Sequence, residues 1–279
     1  MINHAVQIVI PVYNSEKYLH RCLDSLKAQT FENWQAILID DGSKDNSADI
    51  IKEYSLDDER FSYTRQENSG VSATRNNALS RLDAEYTAFL DSDDYWEPDM
   101  LELLYTKAKE SGADVVQCKY MYDYTGGKQE IPEGAFKTDQ CLEGKALKKV
   151  YLRMMTGINM NHVCMKLIKT SLLTNLRFDL SLKTAEDLHF CVRLFKNVKK
   201  YCFINKPLYH YCRNENSITG KGLPFTEKLK ANRYVSKEMA RALPCWGIDT
   251  LPYRFLTYAR PYTIIFSKVI RILSAEFFA

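Results

Sequence analysis

The sequence predicts an α/β fold in which a mostly parallel, mixed sheet is flanked by helices and followed by a helical extension. Apolar runs of strand length alternate with amphipathic runs of helix length over residues 1–105. A polar segment rich in aspartate, asparagine or glycine follows these strands. Beyond residue 110 the apolar spacing becomes typical of antiparallel strands. We therefore expect a parallel first half within a sheet that is mixed overall.

The first half consists of strand and helix units in alternation. Strands are predicted from Val6 to the stop at Pro11–Asn14, and over Trp34–Asp40, Phe61–Arg65 and Tyr86–Leu90. The helices that follow them are predicted to cover Tyr18 to Leu26, Ala48 to Tyr54, a run that reaches about Leu82, and Asp99 to about Glu110.

The second half is predicted to be less regular. Its expected elements are an antiparallel hairpin from Val116 to Gly126-Gly127, a helix from Leu142 to Met154 ended by Gly157, a strand at Val163–Ile168, a helix at Leu188–Phe195, and two closing strands at Tyr201–Ile204 and Leu208–Tyr211. A helix near Thr226–Leu243 and an apolar, basic stretch over 254–279 follow.

Three carboxylates leave the strand that ends at Leu90, within Asp91-Ser92-Asp93-Asp94. Such carboxylates repel one another unless a cation or hydrogen-bond donors offset their charge. Hard oxygen ligands on a tight turn suit Mg²⁺ or Mn²⁺, which keep positions open for phosphate oxygens. The alternative is a polar turn with an aspartate side chain capping it and Pro98 opening the next helix. In parallel sheets ligands bind at the carboxyl ends of strands, where this turn lies.

Composition bounds the class of protein. With 279 residues, of which 46% are hydrophobic and 26% charged, the chain can bury a sizeable core and is not disordered. The eight cysteines show no C-x-x-C pair and no zinc-like clustering, so we expect thiols and a reducing cytosol. The N-terminus has neither the charged region nor the apolar region of a secretory signal.

Five motifs, read together, resemble the family 2 glycosyltransferases in order and spacing. They are Val9-Ile-Pro11-Val-Tyr13-Asn14, Ile39-Asp40-Asp41-Gly42-Ser43, Asn68-Ser-Gly70-Val-Ser-x-x-Arg75-Asn76, Phe89-Leu-Asp91-Ser92-Asp93-Asp94 and Glu186-Asp187. The segments Cys164-Met-Lys166-Leu-Ile and Arg177-Phe178-Asp179 are similar to the bacterial surface-polysaccharide branch. The resemblance covers residues 5–219 and implies a GT-A fold, with 1–105 as the nucleotide-binding half, 106–219 as the acceptor-side half and 220–279 as an extension.

The resemblance also implies a reaction and the residues for it. A sugar would pass, with inversion, from a nucleotide diphosphate donor, with UDP favoured, to a hydroxyl of a glycan or lipid-linked acceptor. Pro11, Tyr13, Asp40, Asp41, Gly70, Asp91 and Ser92 would contact the nucleotide, Asp93 and His210 would hold Mn²⁺ or Mg²⁺, and Asp187, with Glu186 as the next candidate, would deprotonate the acceptor. The absence of the Q-x-x-R-W element and of membrane spans indicates a single-addition enzyme.

Each assignment has a structural alternative. Tyr13 can be a core aromatic residue, and Asp40 to Ser43 can be only a turn and helix cap. His210 lies in an aromatic strand, where a lone histidine is often structural. Asp187 would be the N3 residue of a helix capped by Thr184, where a negative charge is favourable without any catalytic role.

Rival functions fit less well. A phosphotransfer receiver needs an acidic pair after the first strand, and a nucleotidyltransferase needs a basic, glycine-rich loop there. The chain has Pro11–Asn14 at that point. A non-catalytic carbohydrate or partner-binding module would have no need of the intact Asp91, Asp93 and Asp187. No motif that reads nucleic acid is present either.

The extension is basic. Residues 220–279 contain 10 Lys and Arg against 4 Asp and Glu. Charges and Pro261 interrupt the apolar stretch 254–279 too often for a membrane span, so it either lies on an anionic membrane surface or packs on the domain. We expect a cytoplasmic enzyme, with peripheral contact at the inner face of the membrane and a homodimer left open.

Overall fold

A computed structural model describes residues 4–156, 159–213 and 223–262. The described residues form one ten-stranded sheet with helices packed on it, which confirms the predicted α/β architecture. The strands are β1 Val6–Val12, β2 Trp34–Asp40, β3 Phe61–Arg65, β4 Tyr86–Phe89, β5 Tyr95–Trp96, β6 Val115–Tyr124, β7 Gln129–Glu130, β8 Gln140–Glu143, β9 Lys166–Lys169 and β10 Lys200–Arg213. The helices are α1 Glu16–Lys27, α2 Ser47–Asp57, α3 Val71–Leu79, α4 Met100–Ser111, α5 Lys148–Thr156, α6 Glu186–Leu194 and α7 Phe225–Ala242.

The first half of the sheet is parallel. Its strands run in the order β3-β2-β1-β4, and α1, α2 and α3 make the crossovers between successive strands. β1 and β2 are nearly continuous apolar runs with most residues buried, as expected for strands covered on both faces. The carboxyl ends of β1, β2, β3 and β4 therefore meet at one edge of the sheet.

The second half is mixed. β9 lies antiparallel between β4 and β6, and β10 runs parallel to β6 and antiparallel to β5. β6 also turns back into β7, which confirms the predicted hairpin although β7 has only two residues. This arrangement places the ends of β6 and β10 beside the turn that follows β4.

Two predicted elements of the second half are wrong. Leu142 belongs to strand β8, and the helix begins only at Lys148 after a short 3₁₀ turn. The two predicted closing strands are one strand, β10, whose pairing with β6 shifts register between Ile204 and Tyr209. Asn205-Lys206-Pro207 is typical of a turn in sequence, but here it forms an irregularity within a continuous strand.

The cysteine expectation also needs a correction. Cys141 of β8 and Cys202 of β10 lie opposite each other in the antiparallel register and form a disulfide. Their separation of 61 residues in the chain gave no sign of this contact. The other cysteines are thiols, and all of them except Cys245 are buried.

The described part of the extension packs on the domain. Val235 and Met239 of α7 are buried in the same core as the sheet. Trp246 stacks on Tyr151 with ring centroids 4.5 Å apart, and its indole N–H donates to the carbonyl of Phe195 at 3.2 Å. Residues 251–262 are helical, and no helix among the described residues is long and apolar enough to cross a membrane. Most of the stretch 254–279 lies outside the described residues.

Candidate active site

The loop after β1 forms the first wall of the site. Asn14 adopts a left-handed conformation with φ of 50° and accepts a hydrogen bond from the Lys44 amide at 2.8 Å. Its own amide donates to the Ser43 hydroxyl at 3.0 Å, so this loop is joined to the one after β2. Pro11 is half-buried in β1, while Tyr13 is 45% exposed. Tyr13 is therefore not a core aromatic residue, and its ring is accessible to a flat ligand.

Asp40 and Asp41 follow one another but differ in their contacts. Asp40 is fully buried, and its Oδ1 accepts a hydrogen bond from the Ser43 amide at 2.8 Å. Its Oδ2 lies 3.4 Å from Arg65 Nε without a hydrogen bond. A buried carboxylate oxygen without a hydrogen-bond donor is costly, which suits an N–H group supplied by a ligand.

Asp41 holds the neighbouring loop in place. Its Oδ1 accepts from the Ser69 amide at 2.9 Å and the Gln66 side chain at 2.8 Å, and its Oδ2 accepts from the Gly70 amide at 2.8 Å. Gly70 itself has φ of 85°, a conformation that a residue with Cβ rarely adopts. Asp41 and Gly70 thus fix the loop from β3 to α3 rather than face a ligand directly.

The turn after β4 carries the three carboxylates. Asp94 is buried, and it accepts hydrogen bonds from the Tyr209 hydroxyl at 2.5 Å and the Cys212 amide at 2.8 Å. Burial first, and then the charges of Asp93 and Asp91, raise its pKa well above the usual value. Asp94 therefore anchors the turn to β10.

The other residues of this turn are held from the opposite side. The Ser92 hydroxyl is 2.7 Å from that of Ser15 at the start of α1. Asp91 Oδ1 accepts from Arg75 Nη2 at 2.7 Å, and the Cys164 thiol lies 3.3 Å from Asp91 Oδ2. Asp93 is half-buried, and its backbone carbonyl accepts from Arg21 at 3.1 Å.

Arg75 joins the two groups of predicted site residues. Its guanidinium, 4% exposed, donates to Asp91 Oδ1 at 2.7 Å and to Asp187 Oδ1 at 2.8 Å. Asp91 and Asp187 are far apart in the sequence, yet one buried cation binds both. Arg75 belongs to one of the five motifs, but its role is not evident from the sequence, because a single arginine on a helix is usually a surface residue.

Asp187 is not a capping residue. Helix α6 begins at Glu186 after Ala185, which has φ of 62°, and no side chain caps its first turn. Thr184 is therefore not the N-cap, although Asp187 still lies in the first turn of α6, where a negative charge is favourable. The Asp187 carboxylate contacts Arg75 and accepts from the Val163 amide at 3.3 Å. Beside it, burial and then the charge of Asp187 raise the pKa of Glu186.

A buried lysine fixes the loop that contacts Asp187. Lys166 is fully buried, and its ammonium donates to the carbonyls of Met160, at 3.2 Å, and His162. Burial lowers the pKa of this lysine. The signal for this role in the sequence is the unusual position of a lysine inside an apolar strand. Its effect is to hold the segment that presents the Val163 amide to Asp187.

His210 does not have the surroundings of a metal ligand. Its Nδ1 lies 2.9 Å from Asp123 Oδ2, its Nε2 lies 2.8 Å from Glu97 Oε1, and its ring stacks on Tyr95 at 4.0 Å. Both ring nitrogens are thus engaged by carboxylates within the fold. The geometry agrees with the structural alternative for His210 rather than with the predicted ligand role.

The carboxylate turn by itself has too few ligands for a divalent ion, so the phosphates of a bound substrate would have to complete the site. No group of three or more His, Cys, Asp or Glu side chains that could hold a metal occurs in 4–156, 159–213 and 223–262. Within the turn, Asp91 pairs with Arg75 and Asp94 is bound by β10. Asp93 is half-buried at the surface of the turn, and it is the residue to which the resemblance assigns the metal. Mg²⁺ is commonly bound by one or two carboxylates, substrate phosphates and water, and this donor set is of that kind.

Comparison with known proteins agrees with this geometry. The profile of glycosyl transferase family 2 matches residues 7–177, and the chain belongs to that family. The chain is 34% identical over 231 residues to the glycosyltransferase GlyA of Streptococcus pneumoniae serotype 4, covering 78% of this chain and 32% of GlyA. It is also 34% identical over 220 residues to EpsH of Bacillus subtilis strain 168, named a glycosyltransferase, covering 77% of this chain and 62% of EpsH.

The fold is also found in a solved structure. TarS 1–349 of S. aureus in complex with UDP-GlcNAc superposes with a TM-score of 0.72 at 24% identity, covering 88% of this chain and 71% of that one. The likeness supports the GT-A assignment of the sheet and its flanking helices.

Proposed function

We propose that this chain is an inverting, metal-dependent, non-processive glycosyltransferase that moves a sugar from a UDP-sugar to a hydroxyl of a glycan or lipid-linked acceptor in surface polysaccharide synthesis. The observation that carries the proposal is the bridge made by Arg75 between Asp91 and Asp187. The buried guanidinium of Arg75 has Asp91, in the turn predicted to bind the nucleotide donor, on one side and Asp187, the predicted base, on the other. A donor and an acceptor bound at the two carboxylates would lie next to each other.

The nucleotide would bind along the loops after β1, β2 and β4. The exposed ring of Tyr13 can stack on a base, which contributes about 1–3 kcal/mol per base in other proteins. Asp40 Oδ2, which lacks a hydrogen bond, can accept from the N–H of a pyrimidine. Asp91 would then contact the ribose, and Pro11 and Ser92 would border the nucleotide. The UDP-GlcNAc complex of TarS supports a uridine nucleotide as the donor.

Asp93 would hold Mn²⁺ or Mg²⁺ on the diphosphate. A bound divalent ion acts as a Lewis acid that neutralises the charge of the leaving diphosphate. We expect Asp93→Asn to remain folded and to lose Mn²⁺-dependent UDP binding, because this carboxylate lies at the surface of the turn rather than in the core. Calorimetry with UDP and Mn²⁺ that gave an unchanged affinity would end this assignment.

Asp187 would act as the general base. Its carboxylate accepts the proton of the acceptor hydroxyl while the hydroxyl oxygen attacks the anomeric carbon and the bond to the diphosphate oxygen breaks. The displacement occurs from the face opposite the leaving group, so the configuration inverts. The Arg75 guanidinium and the Val163 amide hold Asp187 in place for this step.

Two variants test the base. Asp187→Asn should bind UDP–Mn²⁺ like the wild type but lower kcat by roughly 10²–10⁴-fold. Glu186→Gln is the matched control, since it removes the neighbouring carboxylate and leaves the contact with Arg75. Near-normal turnover by a folded Asp187→Asn enzyme, with a large loss in Glu186→Gln, would transfer the role to Glu186.

We also propose that the extension contacts the inner face of the membrane. Four large apolar side chains on the helical segment 251–262 are exposed, and their spacing places them on one face: Leu251, Phe255, Tyr258 and Tyr262. The basic residues of 220–279 would add attraction to anionic lipids. The division into 1–219 and 220–279 and the homodimer stay predictions.

A further inference from the structure

A group of tyrosines lies beside the site and has no part in the mechanism above. Tyr120 and Tyr122 of β6 and Tyr211 of β10 have neighbouring rings, with centroids 5.0 Å apart for Tyr120 and Tyr122 and 5.7 Å apart for Tyr122 and Tyr211. We call these three residues the aromatic face. Tyr120 is buried, while Tyr122 and Tyr211 are half-buried and so keep part of their rings accessible.

The aromatic face begins at the carboxylate turn. β6 and β10 are parallel, with Tyr209 opposite Tyr120 and Tyr211 opposite Tyr122. Residues two apart in a strand share a face and lie about 7 Å apart. Because the Tyr209 hydroxyl donates to Asp94, the next residue on that face, Tyr211, lies one such step away from the turn.

The same face reaches the predicted base from the other side. The ring of His162 has its centroid 6.2 Å from that of Tyr120 and 6.4 Å from that of Tyr211. The next residue in the chain, Val163, donates its amide to Asp187. The aromatic face is therefore bordered by the carboxylate turn and by the loop that contacts Asp187.

Polar groups surround the rings. Arg213, which is exposed, places its guanidinium 4.3 Å from the ring centroid of Tyr122 and 5.4 Å from that of Tyr211. His162 adds a half-buried imidazole on the opposite side. Accessible aromatic rings with a few convergent polar groups are characteristic of small-molecule sites.

We propose that the aromatic face binds a sugar ring of the acceptor and directs its hydroxyl toward Asp187, an inference that rests on the proposed function. A pyranose has an apolar face of C–H groups that packs on the electron-rich face of an aromatic ring. Its hydroxyls, at the edge of the ring, would then meet Arg213 and His162, which offer hydrogen-bonding groups. The occupant is a saccharide because partly accessible aromatic rings stand here beside Arg213, which lies over the ring of Tyr122, and His162, next to the predicted base.

Saturation-transfer NMR on the full chain loaded with UDP and diamagnetic Mg²⁺ tests this inference without turnover. The probes are methyl β-D-glucopyranoside, methyl β-D-galactopyranoside and methyl N-acetyl-β-D-glucosaminide, with glycerol as a polyol that has no ring. At least one pyranoside should receive saturation, and glycerol should not. Tyr122→Ala and Tyr211→Ala should each weaken that binding about three- to tenfold, as expected for the loss of one aromatic contact.

Two further variants serve as controls. Tyr122→Phe keeps the ring and removes the hydroxyl that lies 3.0 Å from that of Tyr120, so it should bind the probe like the wild type. Tyr234→Ala removes a 46% exposed tyrosine on α7 and should also have no effect. Unchanged UDP affinity and melting temperature will show that the alanine variants are folded.

The outcomes separate this inference from the proposed function. Saturation that is equal in the wild type, Tyr122→Ala and Tyr211→Ala would place the sugar elsewhere and overturn the inference. A UDP-loaded protein that binds none of the pyranosides would overturn it as well. Failure of the wild type to bind UDP in calorimetry would instead contradict the proposed function.

Discussion

At the scale of single residues, Arg75 holds the turn that carries Asp91 next to the helix that carries Asp187. A guanidinium can donate to two carboxylates at once because its N–H groups have a fixed, forked geometry, whereas a lysine ammonium acts as a compact charge. Arg75 uses that geometry on Asp91 and Asp187, and its side chain is 4% exposed. The two carboxylates thereby offset the charge of a cation that would otherwise be costly to bury.

We predict that Arg75→Lys will lower the free energy of unfolding by about 1–3 kcal/mol, because the shorter ammonium cannot reach both carboxylates. It should also lower kcat/KM at least about tenfold by releasing Asp187 from its position. Denaturant unfolding and steady-state kinetics measure the two effects.

Arg60→Lys is the matched control. Arg60 makes a forked pair with Asp58 and lies 4.3 Å from the ring centroid of Trp34, outside the site. Arg60→Lys should lower the free energy of unfolding and leave kcat/KM unchanged. Wild-type kinetics in Arg75→Lys would show that the bridge has no role in transfer.

Glu186 provides a prediction about pH. Burial and the charge of Asp187 raise its folded pKa above the unfolded value of about 4.5, so folding favours the protonated acid. Stability from this group is greatest below that unfolded value and is lost as the pH rises through the folded pKa. Glu186→Gln cannot titrate, so its melting temperature relative to the wild type should increase as the pH is raised from 4 to 8. A difference that stays constant over this range would contradict the raised pKa.

The residue types at the strand ends predicted part of this chemistry. Asp40, Asp91 and Asp93 follow strands, and the strand ends meet in a parallel sheet, so their common location follows from sequence. The partner of each carboxylate does not follow from sequence. Asp41 was expected to contact the nucleotide, but its oxygens bind the loop at Gly70. Contacts of this kind depend on long-range packing, which local patterns do not contain.

At the scale of elements, β10 is the strand that fixes the carboxylate turn. The Tyr209 hydroxyl and the Cys212 amide bind Asp94, and the pair His210 and Asp123 connects β10 to β6. The turn is therefore held by one strand of the mixed half of the sheet and by Arg75 and Ser15 of the parallel half.

We predict that Tyr209→Phe will lower the free energy of unfolding by about 1–3 kcal/mol, because buried Asp94 loses its hydroxyl donor. The variant should also bind UDP–Mn²⁺ more weakly, since the turn that carries Asp91 and Asp93 loses an anchor. Calorimetry and denaturant unfolding give both values.

Tyr201→Phe separates the two effects. The Tyr201 hydroxyl is also buried and donates to Gln117 at 3.2 Å, away from the turn. The control should lose a similar amount of stability without any change in nucleotide affinity. Equal affinity in Tyr209→Phe and the wild type would mean that the turn does not need this anchor.

The elements themselves were predicted unevenly. β1 to β4 and their helices follow from apolar runs and helical periodicity, which are local patterns that the sequence itself contains. β8 and β10 were misread because the strand Gln140–Glu143 has apolar spacing that continues into the next helix, and Pro207 is typical of a strand end. Both strands are formed by pairing with residues far away in the chain, which local sequence patterns do not show.

At the scale of the whole molecule, the extension has two surfaces. One packs on the domain through α7 and Trp246, and the other exposes Leu251, Phe255 and Tyr258. Most of the predicted lipid-binding stretch lies beyond the described residues, so the exposed side chains on 251–262 are the part that can be tested by design.

We predict that the full chain will float with anionic vesicles at low salt and less so at 0.15 M, where the Debye length falls to about 8 Å. Replacing Phe255 and Tyr258 by glutamate should abolish flotation because it puts charge into the apolar stripe. Leu56→Glu, at a position that is 89% exposed on α2, is the control and should float like the wild type. A full chain that stays in the bottom fraction at low salt would contradict the lipid proposal.

The stereochemistry of transfer tests the central claim most directly. UDP-N-acetylglucosamine has an α linkage, so direct displacement with Asp187 as the base must give a β-linked product and one UDP per transfer. Proton NMR of the anomeric region, with diamagnetic Mg²⁺ and the methyl pyranosides as acceptors, should show this product for the wild type and none for Asp187→Asn at equal UDP occupancy. An α-linked product, or no transfer from any UDP- or GDP-sugar, would contradict the account.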